Sequence, residues 1–273
     1  MISEHEAGHR ARNQINYDEK TQEHDSLSLN STLYLAYRDI PKILETHLYP
    51  RVSSYSDRIR VLDFGCGTGL STQILASQIN LLPELTLDVV GVDLNEANVE
   101  IAREKMPSAH FECIAKNESI EKHGVFDLII CNFVLVEMRS DEMLDVLSSL
   151  KNSLSEKGIL ISTNPTSKAY KQENAWYTFN NRFPENNLDT NLGVSKYCED
   201  QPIKIEVFSA KDKAHSFTFF DYFHSGTAYR NAYTSAGLKL LGSYKPLGTI
   251  EDGMPWKSEV EKAPYKIHIL SSP

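Results

Sequence analysis

An acidic residue followed by three closely spaced glycines is the feature of this chain that most clearly indicates chemistry. The run covers residues 61–69 and reads VLDFGCGTG. An apolar strand that ends in Asp63 and turns through glycines brings bare backbone against a nucleoside ligand, because glycine lacks a Cβ and accepts a positive φ. The glycine spacing is GxGxG, whereas dinucleotide sites read GxGxxG. The spacing therefore favours a nucleoside smaller than a dinucleotide.

A second acidic residue ends the next predicted strand, about twenty or more residues after the glycines. Residues 89–93 read VVGVD, so Asp93 follows an apolar run. A carboxylate in this position can accept hydrogen bonds from the hydroxyls of a ribose. Asp93 and the glycine turn therefore predict two halves of one nucleoside site.

The elements that must position these residues alternate between strand and helix, which predicts an α/β fold with a doubly wound, Rossmann-like, mostly parallel sheet. Apolar runs such as residues 127–131 (DLIIC) are typical of parallel strands covered on both faces. An antiparallel closing pair brings the sheet to seven strands. The predicted strands are Arg60–Phe64, Leu87–Asp93, His110–Cys113, Phe126–Asn132, Gly158–Thr163, Leu238–Tyr244 and Tyr265–Leu270. The predicted helices are Leu70–Ile79, Glu96–Met106, Asp141–Leu154 and Gly226–Gly237.

Two segments outside this alternation are expected to cover the site. Helical spacing over Leu29–Leu48 predicts an N-terminal helical lid, which Pro41 kinks or restarts. After Asn164, about sixty residues pass before the next helix, which is long for a plain connection. Alternating apolar residues there, in 203–207 and 217–222, predict an inserted β-hairpin. The expected units are a lid (1–56), a cofactor-binding core (57–164), an inserted substrate segment (165–225) and the C-terminal part of the core sheet (226–273).

These motifs, in this order, resemble the class I S-adenosylmethionine-dependent methyltransferases. The resemblance is clearest over residues 57–163. The family's first motif matches residues 61–69, its second matches 90–95 (VGVDLN), its fourth matches 125–135 (VFDLIICNFVL), and the segment after it matches 154–161 (LSEKGILI). The resemblance implies an enzyme that uses S-adenosyl-L-methionine as its cofactor and methyl donor.

The resemblance also implies roles for single residues. Asp63 and the backbone of the glycine turn would hold the amino-acid end of the cofactor, and Asp93 would bind both ribose hydroxyls. Leu94 would pack on the adenine. Many relatives place an acid after the third strand to bond the adenine amino group, but Ala115 stands there and Asn117 is the nearest candidate. The predicted cofactor-binding residues are Asp63, Gly65, Cys66, Gly67, Asp93, Leu94, Asn117, Asn132 and Phe133, the last two near the sulfonium.

The acceptor is expected to bind under the covering segments. Methyl transfer from a positively charged sulfur depends on in-line placement and exclusion of water more than on catalytic groups. The aromatic residues of 170–191 are natural covers, and the run 220–229 resembles a subgroup that methylates small metabolites and natural products. The N-terminal pair around Tyr17 and His24 resembles a Tyr-Asp pattern of such enzymes. Side chains able to relay a proton are His24, His215, His224, Tyr17 and Tyr177.

Composition excludes several classes of function. The net charge of −9 disfavours nucleic acid as a partner. The four cysteines form no CxxC pair, so we expect neither disulfides nor a metal site. Residues 1–12 lack the apolar region of a secretory signal, and the apolar run 125–138 is interrupted by charges and too short to span a membrane. We expect a cytoplasmic protein that does not enter membranes.

The leading hypothesis is therefore a methyltransferase that acts on a small molecule, at a nitrogen, oxygen or carbon atom. A cofactor-binding protein or partner subunit without activity is one alternative, and a protein or nucleic-acid methyltransferase is another. A nicotinamide dehydrogenase is disfavoured by the glycine spacing.

Overall fold

The computed structural model describes residues 29–52, 58–79, 86–116, 118–186, 197–212 and 215–273. Their strands form a seven-stranded sheet and a three-stranded sheet. The strands are β1 (Arg58–Phe64), β2 (Thr86–Asp93), β3 (His110–Cys113), β4 (Phe126–Asn132), β5 (Leu154–Pro165), β6 (Phe179–Asn180), β7 (Pro202–Phe208), β8 (Ser216–Tyr222), β9 (Lys239–Tyr244) and β10 (Tyr265–Ser271).

The larger sheet has the strand order β3-β2-β1-β4-β5-β10-β9. Strands β1 to β5 run parallel, whereas β10 is antiparallel to both of its neighbours, β5 and β9. The chain moves outward from β1 to β3 and then returns to β4 on the other side of β1. Ligands of such sheets bind at the carboxyl ends of the strands, where the order reverses. The predicted seven-stranded, mostly parallel sheet with an antiparallel closing strand is confirmed.

Helices cover this sheet on both faces. They are α1 (Tyr34–Tyr37), α2 (Ile40–Ile43), α3 (Tyr49–Val52), α4 (Leu70–Ile79), α5 (Glu96–Lys105), α6 (Ser140–Asn152) and α7 (Gly226–Ser235). In β4, Leu128 and Ile130 belong to one apolar cluster, with the N-terminal helices. Ile129 belongs to the other, with residues of α6 and α7. Because side chains alternate along a strand, the two clusters are the two faces of the sheet.

The predicted N-terminal helix is divided into short pieces. Arg38 and Asp39 separate α1 from α2, and Pro41 lies in the first turn of α2, where its missing N–H costs no helical hydrogen bond. A π-helical turn over Leu44–Leu48 leads into α3. The side chains of Leu35 and Leu44 are fully buried against the sheet, so these pieces form part of the core.

Two predicted boundaries differ from the structure around residue 154. Helix α6 was expected to reach Leu154 but ends at Asn152, because Leu154 already pairs with Phe126 as the first residue of β5. Strand β5 is correspondingly longer than predicted and extends to Pro165. The apolar side chain of Leu154 fits either element, and its pairing with Phe126 places it in the sheet.

The insertion between β5 and α7 contains the small sheet, in the order β6-β7-β8 with antiparallel pairing. The hairpin of β7 and β8 was predicted, whereas β6 was not, since its two residues lie within an aromatic segment without alternation. Ile203 and Phe217 are fully buried and lie on one face of this sheet. In the described ranges, no helix combines the length and apolar character that crossing a bilayer requires.

Candidate active site

The glycine turn joins the end of β1 to α4 and is fixed by the neighbouring strand. The backbone N–H groups of Gly65 and Cys66 both donate to the carbonyl oxygen of Val92, at 2.8 and 3.0 Å. Gly65 has a φ of 72°, and a Cβ added to it would lie 2.3 Å from a methyl carbon of Val134. Gly67 has a φ of 52°, but a Cβ there would meet no atom within 4 Å. Gly65 is therefore required for packing, whereas Gly67 faces open space in which a ligand can approach the backbone.

Asp63 lies beneath this turn and holds the first residues of α4. Its carboxylate is 1% exposed and accepts hydrogen bonds from the hydroxyls of Ser71, at 2.5 Å, and Thr72. Burial raises the pKa of Asp63 to about 6, even though these two hydrogen bonds act in the opposite direction. The structure therefore places the carboxyl group next to the glycine turn, with part of its hydrogen-bonding capacity already used.

Asp93 connects the glycine turn to the end of β2. Its Oδ2 accepts a hydrogen bond from the Gly67 N–H at 2.8 Å, and its Oδ1 accepts one from the Asn95 N–H at 2.9 Å. Burial raises the pKa of Asp93, and the backbone hydrogen bonds only partly offset that effect. The neighbouring Leu94 is 52% exposed, which is unusual for a leucine beside a strand end. An apolar surface and a carboxylate thus lie side by side.

Cys66 contributes its backbone rather than a reactive thiol. Its side chain is 4% exposed, and burial, reinforced by the charges of Asp63 and Asp93, raises the pKa of the thiol. Thiolate chemistry at this position is therefore disfavoured.

Asn132 and Phe133 follow β4 at the same edge of the sheet. The Asn132 side chain interacts with the hydroxyl of Tyr37, while its Oδ1 atom is buried and makes no hydrogen bond with the described residues. Phe133 has a φ of 60°, a strained value for a residue with a large side chain, and its N–H donates to the carbonyl of Thr163 at 2.8 Å. An unpaired amide oxygen and a strained backbone are features of functional sites.

The strand order brings these groups together, because β2, β1 and β4 are neighbours and parallel. Their carboxyl ends carry Asp93, the glycine turn and Asn132, respectively. Tyr37 of α1 reaches the same edge, because its hydroxyl interacts with the charge of Asp63 and with the side chain of Asn132. The sequence reasoning missed Tyr37, which has no signal beyond its place on an amphipathic helix.

A cavity of about 140 Å³ lies between this edge and the inserted sheet. Phe133 and Tyr265 form one wall, and their rings pack edge to face with centroids 5.0 Å apart. Apolar side chains of the insertion, including Phe179 and Ile205, also line the cavity. The cavity therefore adjoins the carboxyl end of β4.

Two acidic side chains of the cavity wall, Asp221 and Glu137, were missed by the sequence reasoning, whereas Tyr170 belongs to the aromatic segment 170–191 that was predicted to cover the site. Asp221 of β8 is 4% exposed, its Oδ2 accepts a hydrogen bond from the Tyr170 hydroxyl at 2.9 Å, and Glu137 also lines the cavity. Burial, together with the charge of Glu137, raises the pKa of Asp221. The sequence did contain a signal for Asp221. Apolar side chains alternate along β8, and Asp221 stands where the next apolar side chain after Phe219 is expected.

Neither of the described histidines predicted to relay a proton is among the residues that line the cavity. His215 immediately precedes β8, is exposed, and its Nδ1 is 2.9 Å from a carboxylate oxygen of Asp212. His224 is buried, and its Nε2 donates to the Met138 carbonyl at 2.9 Å. Burial lowers the pKa of His224.

Tyr177 is also absent from the described residues of the cavity wall. Its ring packs edge to face on Trp256, and its N–H donates to Glu259 at 2.6 Å. The remaining predicted residues, Tyr17, His24 and Asn117, lie outside the described residues.

A group of three potential metal ligands is found near β3, away from the cavity. Donor atoms of His110, Glu112 and His123 lie within 4.8 Å of one another. The Glu112 carboxylate also forms an ion pair with the Lys122 ammonium, so a cationic side chain already balances its charge.

Comparisons with known proteins agree with this arrangement. The sequence profile of a methyltransferase domain matches residues 55–217, which is more than half of the chain. The trans-aconitate 2-methyltransferase of Variovorax paradoxus is 34% identical over 142 residues, 52% of each protein. The malonyl-[acyl-carrier protein] O-methyltransferase of Priestia megaterium is 24% identical over 177 residues, 61% of this chain and 62% of that protein. The chain thus spans about half to three fifths of the length of these curated relatives.

Among solved structures, an S-adenosylmethionine-dependent methyltransferase from Clostridium acetobutylicum matches with a TM-score of 0.53 at 14% identity. The match covers 96% of this chain and 99% of that chain, which shows a shared fold. The profile match, the strand order and the groups at the ends of β1, β2 and β4 lead to one conclusion. The chain belongs to the class I S-adenosylmethionine-dependent methyltransferases.

Proposed function

We propose that this enzyme transfers the methyl group of S-adenosylmethionine to a small-molecule acceptor in the cavity between Phe133 and the inserted sheet. The observation that carries the proposal is the position of Phe133. It follows Asn132 at the end of β4 and at the same time forms a wall of the cavity. A cofactor at the sheet edge and an acceptor in the cavity would therefore meet at one residue.

The residues at the sheet edge fit this cofactor. Gly67 leaves room for a ligand against its backbone, and the adjacent Asp93 carboxylate is suited to ribose hydroxyls. The exposed Leu94 offers an apolar surface that suits the adenine, and we assign the unpaired Oδ1 of Asn132 to the amino-acid part or the sulfonium. We infer that Asp63, held by α4, supplies negative charge near the cofactor ammonium group.

Methyl transfer requires little from the protein beyond placing the acceptor in line with the methyl group. The bound cofactor supplies a methyl group on a positively charged sulfur. An acceptor atom would supply the electron pair of its bond to that methyl group, the sulfur would keep the electrons of the bond that breaks, and the proton lost by the acceptor would pass to solvent. Excluding bulk water and aligning the acceptor are the contributions we assign to the cavity.

One of the two curated relatives supports a small acceptor. The relative from Variovorax paradoxus is named for trans-aconitate, a small molecule. The cavity walls of Phe133, Tyr265 and Phe179 are apolar and aromatic, as is common for small-molecule sites.

Isothermal titration calorimetry with S-adenosylmethionine tests the cofactor site. We expect the wild-type chain to bind, and Asp93→Ala to weaken binding by about tenfold or more, because a charge-assisted hydrogen bond is lost. Asp88→Ala is the matched control, since Asp88 lies on the same strand but pairs with Arg58 and Arg60 near its other end. Absence of binding by the wild-type chain would falsify the proposal.

A turnover screen then tests the transfer itself. We expect S-adenosylhomocysteine to form when the enzyme, the cofactor and a panel of small amines, alcohols, phenols and acids are combined. Bound cofactor without turnover on any of these compounds would instead favour a protein that binds the cofactor without catalysis.

A further inference from the structure

The inserted sheet presents one charged side chain on an otherwise apolar face. Phe217, Phe219 and Asp221 alternate along β8 and therefore share a face, and the latter two line the cavity. From β7, Ile205 and Val207 line the same cavity. A carboxylate therefore occupies a position where packing alone would select an apolar side chain.

The hydrogen bonding of this carboxylate is incomplete. Tyr170 donates to Oδ2, whereas Oδ1 is buried and makes no hydrogen bond with any described residue. Buried oxygen atoms of ionisable groups are almost always paired, so an unpaired one beside a cavity calls for an outside donor. Tyr170 itself is 1% exposed and held in the core of the insertion, which fixes the orientation of the carboxylate.

The charged residues in the described part of the cavity wall are acidic. Asp221 and Glu137 both line the cavity, and none of the described residues in its wall is a lysine, arginine or histidine. The buried Asp221 carboxylate attracts a cation and repels an anion, since the interaction is little screened in an apolar surrounding. Burial and the charge of Glu137 raise the pKa of Asp221, and a bound cation would reverse that effect by stabilising the carboxylate.

We propose that the acceptor is a compact apolar molecule bearing an amine, whose ammonium group binds Oδ1 of Asp221. This inference rests on the proposed function and adds the chemical class of the acceptor. Asp221 is then a specificity-determining residue, Tyr170 is the residue that positions it, and molecules with several carboxylates are excluded.

Ligands that share an apolar body but carry a cationic, neutral or anionic terminal group test this assignment. The probes are phenethylamine, 2-phenylethanol and 3-phenylpropionate, together with the corresponding cyclohexyl and n-hexyl series. Binding to the full chain is measured by calorimetry with S-adenosylhomocysteine at saturation. We expect each amine to bind about tenfold or more tightly than its alcohol, the fold-change of one charge-assisted hydrogen bond, and the carboxylates not to bind.

Variants then test which residue causes the preference for amines over alcohols. Asp221→Asn should abolish the preference for amines over alcohols, and Tyr170→Phe should reduce it while retaining the charge. The control Glu206→Gln makes the same acid-to-amide change on β7, at a residue absent from the described wall of this cavity, and should leave the preference unchanged. S-adenosylhomocysteine affinity and thermal unfolding of each variant verify that the fold is retained.

The outcomes separate the two proposals. Loss of S-adenosylhomocysteine binding by the wild-type chain counts against the proposed function itself. Intact cofactor binding with no preference for amines in any of the three series, including absence of probe binding, overturns only the acceptor class. An amine preference that survives in Asp221→Asn overturns the role of Asp221.

Discussion

Thr32 and Thr178 hydrogen-bond each other in both directions across 146 residues of sequence. The Thr32 N–H donates to the Thr178 hydroxyl at 2.9 Å, and the Thr178 N–H donates to the Thr32 hydroxyl at 3.2 Å. The Thr32 hydroxyl donates in turn to Glu259, which is fully buried. One buried polar cluster therefore joins the N-terminal helices, the insertion and the loop before β10.

Replacing Glu259 with alanine should destabilise the enzyme strongly. Besides the Thr32 hydroxyl, the backbone N–H groups of Tyr177 and Lys257 would lose their acceptor. We expect a loss of about 3 kcal/mol or more in the free energy of unfolding, measured by urea denaturation, because buried donors without an acceptor are costly. Glu261→Ala, an exposed change two residues away, should alter it by less than about 0.5 kcal/mol. Similar values for the two variants would contradict the role of the cluster.

The two glycines at the turn should respond differently to alanine. Gly65→Ala places a carbon 2.3 Å from Val134, so the melting temperature should fall clearly. Gly67→Ala meets no neighbouring atom, so only its positive φ opposes the change, at a cost of about 1 kcal/mol. Its expected defect is instead weaker binding of S-adenosylmethionine, measured by calorimetry. Wild-type affinity in Gly67→Ala would show that the cofactor does not approach this backbone.

The stability of the ligand-free enzyme should depend on the titration of Asp63. Because its folded pKa, about 6, exceeds its ordinary value of 3.8, the folded state holds the proton more tightly. This contribution to stability is complete below about pH 4 and is lost as the pH rises through 6, by about 3 kcal/mol in total. Asp63→Asn lacks this titration, so the difference between its unfolding free energy and that of the wild type should increase from pH 4 to 7.

Asp88 supplies a control of opposite sign. Partial burial raises its pKa, but the hydrogen bond from Arg60 and the charges of Arg58 and Arg60 outweigh burial and lower the pKa overall. The stabilisation from Asp88 is therefore present above the ordinary pKa and is lost as the pH falls. An Asp63→Asn difference that is independent of pH would disprove the assignment of a raised pKa to that group.

His215 should be dispensable for methyl transfer. Its exposed imidazole pairs with Asp212, and it is absent from the described wall of the cavity. We expect His215→Ala to change kcat/KM by less than about twofold once an acceptor is known. A decrease in kcat/KM of about tenfold or more would instead indicate that His215 takes part in proton transfer.

The parts of the fold that follow from local patterns were accessible from the sequence. The order of glycine turn, Asp93 and the apolar β4 run predicts which strand ends meet. The boundary at Leu154 was not accessible, because an apolar residue fits the end of a helix and the start of a strand equally well. The three-dimensional pairing with Phe126 decides it.

On the acceptor side, sequence reasoning favoured histidines because their ordinary pKa lies near neutrality. Whether a histidine is buried and what it contacts depend on packing between distant segments of the chain. Asp221 was overlooked for the same reason, since only the pairing of β8 with β7 and the position of Tyr170 show that its carboxylate is buried.

The inserted strands pair only with one another among the described strands, and the central sheet is complete without them. Under the proposed function, recognition of the methyl donor and recognition of the acceptor belong to separate hydrogen-bonded units that share a boundary at Phe133. On that proposal, sequence changes in β6 to β8 would alter the choice of acceptor while the donor site stays unchanged. Such a division makes the insertion a natural segment to exchange when a new acceptor is wanted.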